Sequence, residues 1–355
     1  MRILNLCETA KGGVGIYQRH VAALSSRGFE VHHLVPDSDA DFLGADLRLE
    51  TFRRKSRGLG AIREMLSRFE SLLESLDPDV VFFHSTFALA ALARMRMRGD
   101  RRPAIYCPHS WAIATCGRYD PKRPVVRLIE GRLAGLADRI LCVSQNDRDI
   151  AQRLGYRGTF SVIENAAPEP NPNAVDTLFA DDPDNLQLLF IGRLDRQKGF
   201  DILFDAMRYT ARDDLRLHVV GDEVRHDGST IWMSRRAIPV GWIGQDEIDS
   251  WYRSADALIV PSRWEGLPLV VPEALRNGTP VIVARRSGME KLITPGVSGE
   301  VFDLDRESLA TCLHDLDKAR LRAMRPAARA AYEDRFTIDR MLDQLATMIR
   351  DVAAK

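Results

Sequence analysis

Arg263-Trp-Glu-Gly-Leu-Pro-Leu-Val-Val-Pro-Glu-Ala-Leu275, continued by Gly278-Thr-Pro-Val-Ile282 and Ser287-Gly-Met-Glu290, reads as a loop that turns into a helix after a strand ending at Pro261. Seven residues separate Glu265, in the loop, from Glu273, one or two turns into the helix. An ionised carboxylate accepts two hydrogen bonds from neighbouring hydroxyls, so two acids at this separation suit two diols, one on a hexose and one on a ribose. Between them the N–H groups of Leu269 and Val270 open the helix and can face a phosphate, whereas Pro268 has no N–H to offer. Paired carboxylates also suit general acid and base work, and sequence separation does not fix the carboxyl distance.

Outward from this stretch, apolar runs of strand length alternate with amphipathic segments, the pattern of helices packed on a parallel sheet. Strands are expected at Gln187–Ile191, Arg216–Val220, Ala257–Val260, Pro280–Val283 and Gly299–Phe302, with helices after Gly199, Gln245 and Pro268. An earlier series has strands at Arg2–Leu6, Glu30–Val35, Asp79–His84, Ala104–Pro108, Arg139–Val143 and Phe160–Ile163, and helices near Val14–Arg27, Leu59–Leu76 and Asp147–Leu154. Turn-rich segments at 165–173 and 181–185 part the two series. The expected division is one doubly wound domain over residues 1–168, a linker over 169–185, a second domain over 186–335, and a C-terminal helix within 336–355 crossing back to the first. Ligands bind such sheets beyond the carboxyl ends of the strands.

Two more strand-to-helix loops carry candidate chemistry. Gly192-Arg-Leu-Asp-Arg-Gln-Lys-Gly199 places Arg193 and Lys198 where fixed cations would stabilise charge building on a departing diphosphate without a metal; exposed loop charges are the plain alternative. Lys11-Gly-Gly-Val-Gly15 lets backbone approach an anion through Gly12 and Gly13, but lacks the spacing of a dinucleotide fingerprint or a Walker loop.

Composition excludes several classes. The 355 residues are 45% hydrophobic and 28% charged, an ordinary folded composition without low-complexity runs. Five scattered cysteines form no disulfide framework, and Cys107 and Cys116, near His109, are expected to pack rather than bind zinc. No apolar stretch approaches a membrane span, and the N-terminal apolar run meets Glu8 too soon for a signal peptide, so the protein is read as cytoplasmic. Net charge is zero, yet residues 1–165 carry 25 Lys and Arg against 19 Asp and Glu. The excess concentrates in Phe52–Arg57, in Arg94–Arg98 with Arg101 and Arg102, and in Lys122, Arg123 and Arg127. Peripheral contact with an anionic membrane face, or a merely solvated helix face, would account for these clusters. Nothing suggests nucleic acid as a partner.

With these motifs in place the chain resembles the retaining glycosyltransferases of family 4 (group 1), which have the GT-B fold: α/β, two Rossmann-like domains facing across a cleft. The likeness is carried by Glu265 and Glu273 with Gly-Leu-Pro, Ala-Leu and Gly-Thr-Pro-Val-Ile around them, by Gly192-Arg193 with Lys198-Gly199, by Val220-Gly221-Asp222 and Pro261-Ser262, and less specifically by Gly12-Gly13 and His109 in Cys107-Pro-His-Ser-Trp111. The resemblance implies that Arg193 and Lys198 bind the donor diphosphate, that Glu265 and the backbone from Gly266 through Leu267 to Leu269 hold the transferred sugar, that Glu273 holds the ribose, and that His109 addresses the sugar from the other domain. It implies a nucleoside diphosphate sugar as co-substrate, a glycan or polyprenyl-linked saccharide as acceptor, and no cofactor or metal. Asp39-Ala-Asp41, an imitation of a metal-binding Asp-x-Asp, is accordingly read as loop. Asp222 leads into Glu223–Ser229 where relatives continue as a helix, and Pro272 precedes Glu273 where an aliphatic residue is usual. Fold does not fix reaction, so a same-fold epimerase or phosphorylase, or a non-catalytic nucleotide-sugar-binding subunit, are the rival readings.

Overall fold

Val80-Val-Phe-Phe-His84 is buried at every position, as a strand must be when helices cover both faces of a parallel sheet. In the computed structural model, which describes residues 1–54, 58–117, 119–221 and 236–354, it is the fourth of seven parallel strands: β1 (Arg2–Cys7), β2 (Glu30–Pro36), β3 (Arg48–Phe52), β4 (Val80–His84), β5 (Ala104–Cys107), β6 (Arg139–Cys142) and β7 (Phe160–Val162). Their order is β3-β2-β1-β4-β5-β6-β7. Ile3 of β1 stands between Val31 and Val80, which fixes the register at the centre. Six helices follow the strands: α1 (Gly12–Ala22), α2 (Ala40–Leu43), α3 (Leu59–Leu76), α4 (Leu89–Met97), α5 (Arg123–Ala134) and α6 (Gln145–Leu154). Leu6, Val81, Phe83 and Tyr106 from the sheet meet Met65, Phe69, Leu89 and Leu92 from α3 and α4 in the main core.

The second sheet has six parallel strands, β8 (Leu186–Ile191), β9 (Leu215–Val220), β10 (Ala237–Gly241), β11 (Ala257–Val260), β12 (Val281–Ala284) and β13 (Gly299–Phe302), in the order β10-β9-β8-β11-β12-β13. Its helices are α7 (Phe200–Tyr209), α8 (Gln245–Ser254), α9 (Val270–Arg276), α10 (Arg306–His314) and α11 (Lys318–Arg335). A final helix, α12 (Ile338–Ala353), belongs with the first sheet, so the two compact units are Met1–Asn165 with Ile338–Lys355, and Ala166–Thr337. Arg27 holds α12 through Asp339 at 2.6 Å and Asp343 at 2.9 Å, and the Arg350 guanidinium lies over the Phe29 ring.

Strand order reverses between β1 and β4 in one unit and between β8 and β11 in the other. Such switch points open a crevice at the carboxyl ends of the flanking strands. In the second unit those ends lead into Gly192–Gly199 and Pro261–Glu273, so topology alone brings the two most informative motifs together.

Several expectations required correction. The helix after β1 begins at Gly12, so Gly12 and Gly13 form its first turn rather than a preceding loop. Asp39-Ala-Asp41 is two short helical turns. Residues 169–185 lie along the second unit: Asn171 N–H donates to Asp249 Oδ2 at 2.8 Å, and Val175 and Leu178 donate to the hydroxyls of Ser250 and Ser254, both at 3.1 Å. Strands β3 and β10 and helices α4 and α5 are additions. The region at 222–235, which includes the Glu223–Ser229 departure from the relatives' helix, lies outside the described residues, as do Lys55, Ser56 and Arg57 of the first basic cluster.

Candidate active site

Lys198 and Glu265, assigned to separate tasks by the sequence, are an ion pair: Lys198 Nζ lies 2.7 Å from Glu265 Oε1, with side-chain exposures of 20% and 9%. Glu265 Oε2 has no protein partner among the described residues, so one oxygen is anchored and the other can accept from hydroxyls. Gly199 places the lysine. Its φ is +69°, and a Cβ there would lie 2.0 Å from Pro261 O; only glycine lets the end of one loop lie against the start of the other. Gly221 repeats the device, since its Cβ would lie 2.0 Å from Gly192 O. Gln197 staples the loops, accepting from Arg263 N–H through its carbonyl at 2.8 Å and donating Nε2–H to Trp264 O at 3.2 Å. Arg193 stands half exposed, steered by Gln197 Oε1 at 2.9 Å and Asp195 Oδ2 at 3.1 Å. Its planar fork thus keeps donors for a phosphate.

Glu273 is the fourth residue of α9, within its first turn, so it lies closer to the helix start than the upper sequence estimate. Tyr252 on α8 donates its hydroxyl to Glu273 Oε2 at 2.8 Å. Burial raises the Glu273 pKa, partly offset by Arg276 and by the Tyr252 hydroxyl. The base of α9 is held by a buried pair, Arg276 Nη2 to Asp249 Oδ1 at 2.8 Å, with Asn277 donating to the same oxygen at 2.6 Å. Gly266, Leu267 and Leu269 are buried and Val270 is partly so. Leu269 and Val270 donate their N–H groups to no protein acceptor among the described residues, as the first positions of a helix leave them.

In the first unit, the turn at Gly12 and Gly13 is exposed and its approach is braced from below. Asp39, fully buried, accepts from Ala10 N–H at 2.9 Å and receives both oxygens' worth of hydrogen bonds from Arg54 Nη2 at 3.1 Å. Arg54 also reaches Glu8 Oε1 at 3.0 Å and Thr9 Oγ1 at 2.9 Å. A residue read as loop acid and a residue read as surface cation therefore form one buried clamp under the glycine turn.

His109 follows β5 at φ +58°. Its Nε2 lies 3.1 Å from His84 Nδ1, and its Nδ1 lies 3.7 Å from Cys107 Sγ. His84 Nε2–H donates in turn to Asn5 Oδ1 at 3.3 Å, which makes His84 Nδ1 the acceptor and His109 Nε2–H the donor. Burial pushes His109 down to about 4 and His84 well below the ordinary histidine value, so both are neutral near pH 7. His84, Cys107 and His109 are the group among the described residues whose donor atoms could gather round a metal. The hydrogen bonds, however, run in series through both nitrogens of His109 rather than converging on one point.

Tyr252, Gln197, His84, Asn5, Asp39 and Arg54 were missed or misread because each acts across 15 to 79 positions of sequence, a distance over which no spacing rule operates. Only the topology, with β4 lying directly beside β1, could have paired His84 with Asn5.

Comparison with known proteins finds a family match in each unit. The family described as Glycosyltransferase Family 4 matches residues 11–168, and that described as Glycosyl transferases group 1 matches residues 185–318. An uncharacterized 41.2 kDa protein in the cps region of Klebsiella pneumoniae is 25% identical over 86% of this chain and 87% of its own length. The UDP-Gal:alpha-D-GlcNAc-diphosphoundecaprenol alpha-1,3-galactosyltransferase of Escherichia coli is 23% identical over 93% of this chain and 91% of its own. Among solved structures, sucrose-phosphate synthase from Thermosynechococcus elongatus superposes with a TM-score of 0.84 at 18% identity, covering 99% of both chains. Anabaena HepE in complex with UDP and glucose gives 0.83 at 19% identity, covering 99% of this chain and 100% of its own. With both units matched in order along the chain, this protein belongs to the group 1, family 4 glycosyltransferases and has the GT-B fold.

Proposed function

We propose that the protein transfers a hexose from a nucleoside diphosphate sugar, with retention of anomeric configuration and without a metal, to a hydroxyl of a glycan or polyprenyl-linked saccharide in surface or exopolysaccharide synthesis. The observation that carries the reading is the Lys198–Glu265 pair at the switch point of the second unit, 2.7 Å apart with Arg193 beside the same loop. A donor diphosphate would draw on Lys198 and Arg193, whose charges then stabilise the leaving group as the glycosidic bond breaks. Glu265 Oε2 would accept from hexose hydroxyls and Glu273 from the ribose. No residue is assigned as a nucleophile, so the leaving phosphate would itself help deprotonate the acceptor. His109 would contribute as a neutral imidazole. Support for the acceptor class comes from the Escherichia coli relative, whose name specifies a diphosphoundecaprenol-linked acceptor; support for the donor class comes from HepE with UDP-glucose.

A panel of UDP, GDP and ADP with their hexose conjugates, read by thermal shift, tests donor binding. A cognate donor at 100-fold excess over Kd stabilises by about 2.7 kcal/mol. A flat response across the panel would remove the donor assignment.

A further inference from the structure

Helix α5 has two faces of opposite character. Its inner face is packed: Glu130 and Ala134 are buried, Glu130 accepts from Ala112 N–H at 2.7 Å and from the Tyr156 hydroxyl at 3.2 Å, and a Cβ on Gly131 would lie 2.6 Å from the Tyr156 ring. On its outer face Val125, Leu128 and Ile129 are 56%, 59% and 51% exposed, and Leu136 just beyond the helix is 37% exposed. Lys122, Val125, Leu128, Ile129 and Arg132 recur at intervals of three and four residues, which puts them on one side. Three adjacent aliphatic side chains in water on a single helix are not the scattered apolar exposure of an ordinary surface.

Most of the described charges in the other two basic segments are paired, unlike those of this helix. Arg94 and Arg98 pair with Glu70 at 2.7 and 3.2 Å, Arg96 pairs with Asp138 at 2.7 Å, Arg102 pairs with Asp77 at 2.7 Å, and Arg54 is consumed by its buried clamp. Lys122, Arg123, Arg127 and Arg132 form no ion pair among the described residues. Arg123 and Arg127 donate to backbone carbonyls instead, Arg123 to Cys116 O at 3.0 Å and Arg127 to Leu154 O at 2.7 Å. The acid of α5, Glu130, points inward, and nearby Asp120 is engaged by the Lys122 backbone N–H at 2.9 Å.

We propose that this outer face of α5 docks the protein on an anionic lipid bilayer, with Val125, Leu128 and Ile129 entering the headgroup boundary and Lys122 and Arg132 meeting lipid phosphates. Charge selects the occupant. A second copy packed face to face would set Lys122 and Arg132 against the same cations with no acid between them, whereas an anionic surface complements the whole face. Arg123 ties the first turn of α5 to the segment that follows His109, through Ile113 O at 3.4 Å and Cys116 O at 3.0 Å. Docking would thus hold that loop near the surface where a lipid-linked acceptor resides.

The test is flotation of the full chain with vesicles of equal parts phosphatidylglycerol and phosphatidylcholine, against phosphatidylcholine alone, with no substrate added, so that it succeeds or fails independently of transfer. Wild type is expected to float with the anionic vesicles and to detach at high salt. Val125→Ser/Leu128→Ser/Ile129→Ser and Lys122→Glu/Arg132→Glu are each expected to weaken binding by roughly tenfold or more, since each charge and each aliphatic group contributes. An Arg94→Ser/Arg98→Ser control should bind like wild type. All these positions are exposed, so unchanged thermal midpoints certify folding. Wild type remaining in the unbound fraction, variants floating undiminished, or sedimentation equilibrium showing a dimer that the same substitutions break would each overturn the proposal.

Discussion

At the scale of single residues, the central pair is Lys198 with Glu265, and it explains why neither can be treated alone. Removing the lysine leaves a mostly buried carboxylate without its cation, and removing the carboxylate frees the lysine to move. Glu265→Ala and Lys198→Ala are each expected to lower transfer at least about 100-fold, the scale of a lost transition-state contact, while Arg193→Ala, at a more exposed position, should act mainly through donor affinity. Steady-state kinetics with the cognate donor would show this split. Tyr252→Phe makes a finer test: it removes one neutral-donor hydrogen bond to Glu273, and donor KM should rise about 5- to 10-fold, the equivalent of about 1 kcal/mol. A drop confined to kcat would contradict a binding role for Glu273. Glu265 and Glu273 were legible in the sequence because their motif is local. Their partners were not, because Tyr252 lies 21 positions from Glu273 and Lys198 lies 67 from Glu265.

At the scale of elements, glycine decides where the loops meet. Gly199→Ala places a side chain at φ +69° and a Cβ 2.0 Å from Pro261 O, so the loops must part. Loss of about 2 kcal/mol or more of stability is expected from strain of this kind, together with loss of donor binding; an unchanged thermal midpoint would refute the packing described. The same scale shows why the sequence yielded some elements and hid others. Buried strands such as Val80–His84 are continuous apolar runs and were read to within a residue. The strands overlooked, Arg48–Phe52 and Ala237–Gly241, are the outer edges of their sheets. One has no buried residue before Phe52, and the other carries Pro239, which an edge tolerates and a central strand does not. Helix α5 escaped because its exposed aliphatic face blurs the amphipathic pattern. The glycine turn was placed outside its helix because two glycines lower helix propensity, whereas the Asp39–Arg54 clamp holds the approach to that turn in place.

For the molecule as a whole, buried histidines set the response to acid. Burial lowers His33 to about 3, His109 and His218 to about 4, and His84 well below its ordinary value. Between the unfolded value near 6.5 and these folded values the unfolded chain binds more protons, so stability is full above about pH 6.5 and falls as pH drops toward 4. Glu130 and Glu273, both raised by burial, act in the opposite sense over part of that window, but are outnumbered. Thermal midpoints measured from pH 7.5 to about pH 4.5 should fall continuously below about pH 6.5, and a flat profile would mean that the histidines are not buried as described.

The proposed transfer depends on the second unit presenting a sugar donor to an acceptor hydroxyl through Lys198 and Glu265. Its most direct test is NMR observation of the reaction with the donor identified by thermal shift and a diphosphopolyprenyl saccharide acceptor. The expected product keeps the anomeric configuration of the donor in its new linkage, forms without added metal and is abolished in Glu265→Ala. A product of inverted configuration, or full transfer by Glu265→Ala, would contradict it.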